Sequence, residues 1–143
     1  MGDIRRNFSF SEFVRSDKAA ENGLANAIPS SVVADAIRAL VETVLQPLRD
    51  YLGTTVIINS GYRCEALNKL LGGARNSQHR KGEAADIRSP FFTTYQLASI
   101  IKLLGLPFDQ LILYPTFVHV SHKLKGEQRN QVLYDSSYKG KKI

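Results

Sequence analysis

Two short apolar runs, residues 110–114 and 117–122, constrain the fold of this chain more than any other feature. Both are rich in β-branched, leucine or aromatic residues, and Pro115-Thr116 between them favours a tight turn. The pattern predicts an antiparallel hairpin in which Ile112 lies opposite His119. Because side chains alternate along a strand, these two residues then share one face.

Periodicity and capping residues predict helices ahead of this sheet. Ser9 with Glu12, and Thr93 with Gln96, have the spacing of capping boxes that begin helices. A long amphipathic helix is predicted from residue 30 to Gly53, with Pro47 kinking or dividing it. Further strands are predicted at 54–59, 84–87 and 131–134. The fold class is therefore α+β, with N-terminal helices packed on a small antiparallel sheet.

Length and composition are those of one globular domain. The 143 residues are 43% hydrophobic and 22% charged, enough to bury a core. The sequence predicts a single domain, 1–143, with flexible ends at 1–7 and 135–143. No apolar run reaches 18 residues and no apolar stretch follows the N-terminal arginines, so we expect neither a membrane span nor a signal peptide. Synthesis in the cytoplasm is expected, with release needed for any action on a cell wall.

The net charge of +6 favours a polyanionic partner but does not choose one. Nucleic acid and the anionic bacterial wall both fit, and so does a basic surface with no partner. No basic stripe interleaved with aromatic residues is present, so we do not expect nucleic-acid binding. The single cysteine, Cys64, excludes an internal disulfide and a two-cysteine zinc site.

The segment from Ser77 to Asp86, S-Q-H-R-K-G-E-A-A-D, indicates a metal site. It places His79 and Asp86 at H-x6-D spacing, and the hairpin supplies a second imidazole, His119. Two imidazoles and one carboxylate are a common ligand set for catalytic zinc, because they leave one position open for water. A zinc hydrolase is the leading interpretation.

Three motifs in this order resemble a known family. They are S-G-Y-R (60–63), S-x-H-x-x-G-x-A-x-D (77–86) and an aromatic-x-H ending at His119. The chain is similar to zinc D-alanyl-D-alanine carboxypeptidases, whose family includes D,D-dipeptidases and phage L-alanyl-D-glutamate endopeptidases. The resemblance covers residues 8 to about 134 and implies the hedgehog/DD-peptidase fold.

The resemblance also implies roles for individual residues. One Zn²⁺ ion would be held by His79, Asp86 and His119. Arg63 would bind a carboxylate or carbonyl of the substrate, although it could instead only pair with Glu65. Ser77 and Gln78 would line the cleft. The expected partner is a peptidoglycan stem peptide, bound by a monomer.

One departure from the family concerns the general base. Relatives carry a carboxylate three residues before the last zinc histidine, or at the end of the preceding strand. Here those positions are Thr116 and Tyr114. Asp109 at the entrance of the hairpin is the favoured replacement as catalytic residue, although it could equally brace the hairpin. Glu83 is the other acid nearby and is expected to face solvent.

Two functions follow from this pattern. The first is a zinc peptidase, endolysin-like or cytoplasmic, that cleaves peptidoglycan stem peptides at either a D-Ala–D-Ala or an L-Ala–D-Glu bond. The second is a non-catalytic peptidoglycan-binding module that keeps the fold and the metal, motivated by Tyr114 and Thr116. Tyr114 could also donate its hydroxyl to a tetrahedral intermediate.

Overall fold

Five strands form one sheet in the computed structural model, which describes residues 2–143. The strands are β1 (Ile57–Ser60), β2 (Ala84–Arg88), β3 (Gln110–Leu113), β4 (Val118–Ser121) and β5 (Gln131–Tyr134). The helices are α1 (Phe10–Val14), α2 (Asp17–Glu21), α3 (Ser31–Leu40), α4 (Gln46–Leu52), α5 (Glu65–Leu70) and α6 (Thr94–Leu103). The order across the sheet is β1-β2-β4-β3-β5. The predicted α+β fold class is confirmed.

The predicted hairpin is present with its predicted register. Ile112 lies opposite His119 in the β3–β4 ladder, and the Tyr114 N–H donates to the Phe117 carbonyl at 3.0 Å. Strand β2 pairs antiparallel with the other edge of β4, and Asp86 lies opposite His119. Asp86 and His119 therefore project from adjacent strands on the same face.

The last strand departs from the expected all-antiparallel sheet, because β5 pairs parallel with β3. Strand β4 has β2 and β3 on its two edges, so the chain cannot return beside it. Instead it crosses to the free edge of β3, where the Gln131 N–H donates to the Asp109 carbonyl at 3.0 Å. Because β5 begins beside the first residue of β3, it must run in the same direction as β3.

Pro47 divides the long helix as predicted. A π-helical turn, Val41–Leu45, separates α3 from α4, and the Gln46 N–H bonds to the Val41 carbonyl. Proline has no N–H and its ring crowds the preceding turn, so the helix widens just before it. Gly53, with φ of 65°, ends α4 in the left-handed conformation.

The buried core lies between the helices and one face of the sheet. Leucine, isoleucine and valine side chains of α3, α4 and α6 meet those of β3 and β4, including Leu40, Ile101, Leu111 and Val120. Alternation along the strands leaves the opposite face to Asp86, Ile112 and His119. Asp86 and His119, two of the predicted metal ligands, therefore lie on the face of the sheet opposite the core.

Both capping boxes form as predicted, at Ser9 with Glu12 and at Thr93 with Gln96. Within residues 2–143, no helix combines the length and the apolar character needed to cross a membrane. At the C-terminus, the Ile143 N–H donates to the Tyr134 hydroxyl at 2.9 Å. The predicted flexibility of the two ends stays a prediction.

Candidate metal centre and cleft

His79 reaches the sheet from a short 3₁₀ turn, Gln78–Lys81, that ends at Gly82. The Ser77 hydroxyl accepts a hydrogen bond from the His79 N–H at 3.2 Å and so begins the turn. Gly82 has φ of 74°, and a Cβ there would lie 2.8 Å from the Val33 carbonyl oxygen. Only glycine combines that conformation with that close approach.

The S-G-Y-R segment fixes the orientation of the His79 ring. Nδ1 of His79 lies 2.7 Å from the Gly61 carbonyl oxygen. Since a carbonyl only accepts, Nδ1 carries the proton and Nε2 presents its lone pair. Gly61 itself packs against Phe13, and a Cβ at Gly61 would come within 2.8 Å of the Phe13 backbone. Gly61 of the S-G-Y-R segment therefore orients His79 of the next motif.

The three predicted metal ligands converge in a buried cluster. Nε2 of His79 is 3.3 Å from Oδ1 of Asp86, and Nδ1 of His119 is 3.0 Å from the same oxygen. One potential ligand atom from each of the three residues lies within 4.8 Å of the others. Both His79 and Asp86 are buried. This geometry could hold a metal ion.

The chemistry of the donor atoms fits a cation. Burial lowers the pKa of His79, so its imidazole is neutral and its Nε2 lone pair faces a carboxylate oxygen. Burial also opposes ionisation of Asp86, but the hydrogen bond with His119 outweighs it and holds the pKa of Asp86 well below its usual range. A neutral nitrogen and an ionised oxygen that face each other need a positive charge between them.

A cleft of about 470 Å³ opens over the cluster. Its described walls consist of Arg63, Gly72, Gly73, Ala74, Asn76, Ser77, Gln78, His79, Asp86, Gln110, Ile112, Tyr114, His119 and Arg129. They include Arg63, which is predicted to bind substrate, and Ser77 and Gln78, which are predicted to line the cleft. The charged groups of this wall are two guanidinium groups, Arg63 and Arg129, and one carboxylate, Asp86.

Arg63 lies directly beside the metal cluster. Its Nη2 is 3.2 Å from Oδ2 of Asp86, and its Nε donates to the Ser60 hydroxyl at 3.0 Å. The alternative pairing with Glu65 is not formed: the Glu65 carboxylate instead lies 3.9 Å from Arg80. Burial lowers the pKa of Arg63, but a guanidinium stays charged at neutral pH. Its role in substrate binding stays a prediction.

Asp109, predicted as the catalytic base, lies behind the cleft wall and is fully buried. Arg129 holds it with a bidentate pair, Nη2 at 2.6 Å and Nε at 3.0 Å, and the Gln78 amide donates to it at 3.1 Å. Burial would raise the pKa of Asp109, but the hydrogen bonds from Arg129 prevail and lower it to about 2. A carboxylate so firmly paired is a weak proton acceptor. Its surroundings are those of a bracing residue, and its role as base is untested.

Replacing Asp109 by asparagine should weaken the fold in a pH-dependent way. The folded pKa, about 2, lies below the ordinary value of 3.8. The carboxylate therefore stabilises the fold fully above that value, and the contribution disappears as pH falls through about 2. We expect Asp109→Asn to lower the free energy of unfolding by about 2 kcal/mol at pH 7.

Urea unfolding of both proteins between pH 2 and pH 7 measures this difference. The difference in free energy of unfolding between the wild type and Asp109→Asn should narrow steadily below pH 4. At low pH the Asp109 carboxylate of the wild type becomes protonated, so the wild type loses the stabilisation that the variant already lacks. Asp35→Asn is the matched control, since Asp35 pairs with Arg38 on an exposed helix surface and should change stability little. A difference that stays constant down to pH 2 would contradict the assignment.

Tyr114 takes the place where relatives carry a carboxylate, and its side chain lines the cleft. Its ring stacks on Phe117 with 4.3 Å between centroids. Burial raises the pKa of Tyr114, and the negative charge of Asp86 raises it further. At neutral pH the phenol is protonated and can donate a hydrogen bond. Thr116, the other substituted position, is exposed in the turn and does not belong to the described cleft wall.

Two features of the site were not predicted. Arg129 lines the cleft and pairs with Asp109, yet it is twenty residues away in sequence and no motif marks it. Glu83 does not simply face solvent: its carboxylate accepts from the Gln78 amide at 3.3 Å and from the Leu124 N–H at 3.1 Å. Both features depend on the loop after β4 folding back toward the 3₁₀ turn, which local sequence does not reveal.

Comparison with known proteins identifies the family of the chain. Residues 6–121 match the family model described as Peptidase M15. No curated protein matches the chain. The matched region contains the three cluster residues and Arg63, and it spans most of the chain. The fold is consistent with the hedgehog/DD-peptidase-like fold. The chain belongs to the peptidase M15 family.

Proposed function

We propose that this protein is a zinc metallopeptidase that cleaves a peptide bond in bacterial peptidoglycan stem peptides and acts as a monomer. Membership of a peptidase family supports hydrolysis. The observation that carries the proposal is the convergence of His79, Asp86 and His119 beside Arg63 in one cleft. A zinc ion held by these ligands supplies Lewis-acid polarisation of the scissile carbonyl and activation of water.

Arg63 binds and orients the substrate in this proposal. Its planar guanidinium matches a carboxylate, such as a free peptide C-terminus or a D-glutamate side chain. The contacts with Ser60 and Asp86 keep the guanidinium beside the cluster. A substrate carboxylate fixed by Arg63 would place the neighbouring peptide bond over the metal ligands.

Tyr114 takes the role of hydrogen-bond donor to the oxygen that becomes negative when the scissile carbonyl is attacked. The hydroxyl is protonated at neutral pH and lies in the wall of the cleft. A donor placed where negative charge develops lowers the barrier, because it binds the transition state more strongly than the substrate. Asp109 contributes by bracing Gln78 and Arg129 from behind.

A non-catalytic module that binds stem peptides is the second candidate. One observation favours it: among the described residues that line the cleft, Asp86 is the single carboxylate. Asp86 belongs to the metal cluster and is not free to take a proton from water. Without a proton acceptor, the same cleft would bind the peptide and leave it intact.

Mass spectrometry of purified peptidoglycan fragments incubated with the zinc-loaded protein decides between these functions. A product that disappears with a chelator, and with His79→Ala, supports the peptidase, and its mass distinguishes a D-Ala–D-Ala bond from an L-Ala–D-Glu bond. Retained binding of the fragments with no product, while zinc is bound, would establish the binding module instead. If the fragments are neither bound nor cleaved, both candidate functions are excluded.

A further inference from the structure

The amide of Gln78 is held between two carboxylates. Its Nε2 lies 3.1 Å from Oδ2 of Asp109 and 3.3 Å from Oε1 of Glu83. Asp109 is ionised at neutral pH, because its pKa is about 2, and an ionised carboxylate only accepts hydrogen bonds. The nitrogen of the amide must therefore face these carboxylates, and its two hydrogens are both engaged.

The orientation of the nitrogen determines where the amide oxygen points. Oε1 of Gln78 accepts no hydrogen bond from any residue in 2–143, and no fully buried side-chain oxygen in that range lacks a partner. The oxygen is therefore accessible, and Gln78 is one of the residues that line the cleft, together with His79. Because Asp109 is itself held by Arg129, the oxygen is a fixed acceptor rather than a freely rotating one.

A peptide brings N–H groups that need acceptors when they leave water. The charged groups on the wall do not meet this need: Arg63 and Arg129 only donate, and Asp86 is turned toward the histidines. Gln78 lines the same cleft as His79 and Asp86, so a peptide bound over the metal centre would pass beside it. A substrate N–H bonded there would fix the register of the chain in the cleft.

We propose that Oε1 of Gln78 is a specificity-determining acceptor for the backbone N–H that flanks the bond at the metal centre. The inference rests on the proposed peptide substrate and adds the group that selects an amide-linked chain. Asp109 and Glu83 are positioning residues, which act by orienting the Gln78 amide. Replacing Gln78 by methionine keeps the length of the side chain and removes the acceptor.

The test pairs this substitution with deletion of a single N–H from the ligand. The probe is a synthetic stem pentapeptide, L-Ala-D-γ-Glu-L-Lys-D-Ala-D-Ala, with its first and last peptide bonds replaced by non-hydrolysable methyleneamine links. Each of the two remaining amides, which flank those links, is replaced in turn by an ester that lacks the N–H. Affinities for the zinc-loaded wild type, Gln78→Met and Gln110→Met are measured by calorimetry.

In the wild type, one of the two esters should bind about tenfold more weakly than the amide, as the loss of one hydrogen bond predicts. Gln78→Met should bind that ester and the amide about equally. Gln110→Met, which alters another glutamine of the cleft wall, should keep the wild-type preference. Circular dichroism and zinc content show that the variants are folded and loaded, and Gln78→Ala serves if methionine prevents folding.

The outcomes separate this inference from the proposed function. If the amide probe binds the wild type but the ester penalty persists in Gln78→Met, the inference is overturned while the peptide substrate stands. If the weaker binding of the ester disappears in Gln110→Met and persists in Gln78→Met, the inference is also overturned, and the acceptor is assigned to Gln110. If the amide probe does not bind the wild type, both proposals fall together.

Discussion

Replacing His79 by alanine is expected to remove metal binding and, with it, all peptidase activity. The Nε2 lone pair of His79 is buried and oriented by the Gly61 carbonyl, so no neighbouring group can replace it. Removing a residue that only hydrogen-bonds a metal ligand, and does not itself touch the metal, weakens metal binding by about 10- to 100-fold. Loss of a ligand should cost at least about 100-fold in zinc affinity, measured by competition with a chromogenic chelator.

His122→Ala is the matched control for this measurement. His122 is the third histidine of the chain, and its Nδ1 lies 2.6 Å from the Pro107 carbonyl oxygen, outside the cluster. We expect His122→Ala to bind one zinc ion with wild-type affinity and to retain activity. Wild-type zinc affinity in folded His79→Ala, or a wild-type protein that binds no zinc, would refute the proposed metal centre.

The hairpin and the helix starts could be predicted because each depends on residues close together in sequence. Pro115-Thr116 set the turn, and the two-residue period of the strands then set the pairing of Ile112 with His119. The capping boxes depend on a three-residue spacing. The parallel position of β5 could not be predicted in this way, because it depends on which strand edge remains free after β2 has paired with β4.

The same distinction applies to the candidate site. His79, Asp86 and His119 were recognised from motif spacing, and the structure brings all three together. The environment of Asp109 was not predictable, because its partners Gln78 and Arg129 come from positions 31 residues before it and 20 residues after it. Sequence places a carboxylate near the hairpin, but only the folded loop determines whether it is free or paired.

Replacing Tyr114 by phenylalanine is expected to lower kcat by about 100-fold and leave KM nearly unchanged. Removing one donor to a developing oxyanion typically costs on the order of 10² to 10³ in kcat, and the hydroxyl contributes little to the ground state. Phenylalanine keeps the ring that stacks on Phe117, so the fold and the metal ligands should be undisturbed. Steady-state kinetics on the cleaved fragment, with zinc content measured in parallel, tests this.

Tyr134→Phe is the matched control, since it also removes one tyrosine hydroxyl. That hydroxyl bonds the Ile143 backbone, outside the cleft. Its kcat should equal that of the wild type. An unchanged kcat in Tyr114→Phe would contradict the role of the hydroxyl. Tyr114→Glu is a complementary test of this position, because it introduces a carboxylate where relatives carry one. If Tyr114→Glu cleaves the peptide and the wild type does not, the wild-type cleft lacks only a proton acceptor. The wild-type protein is then a binding module.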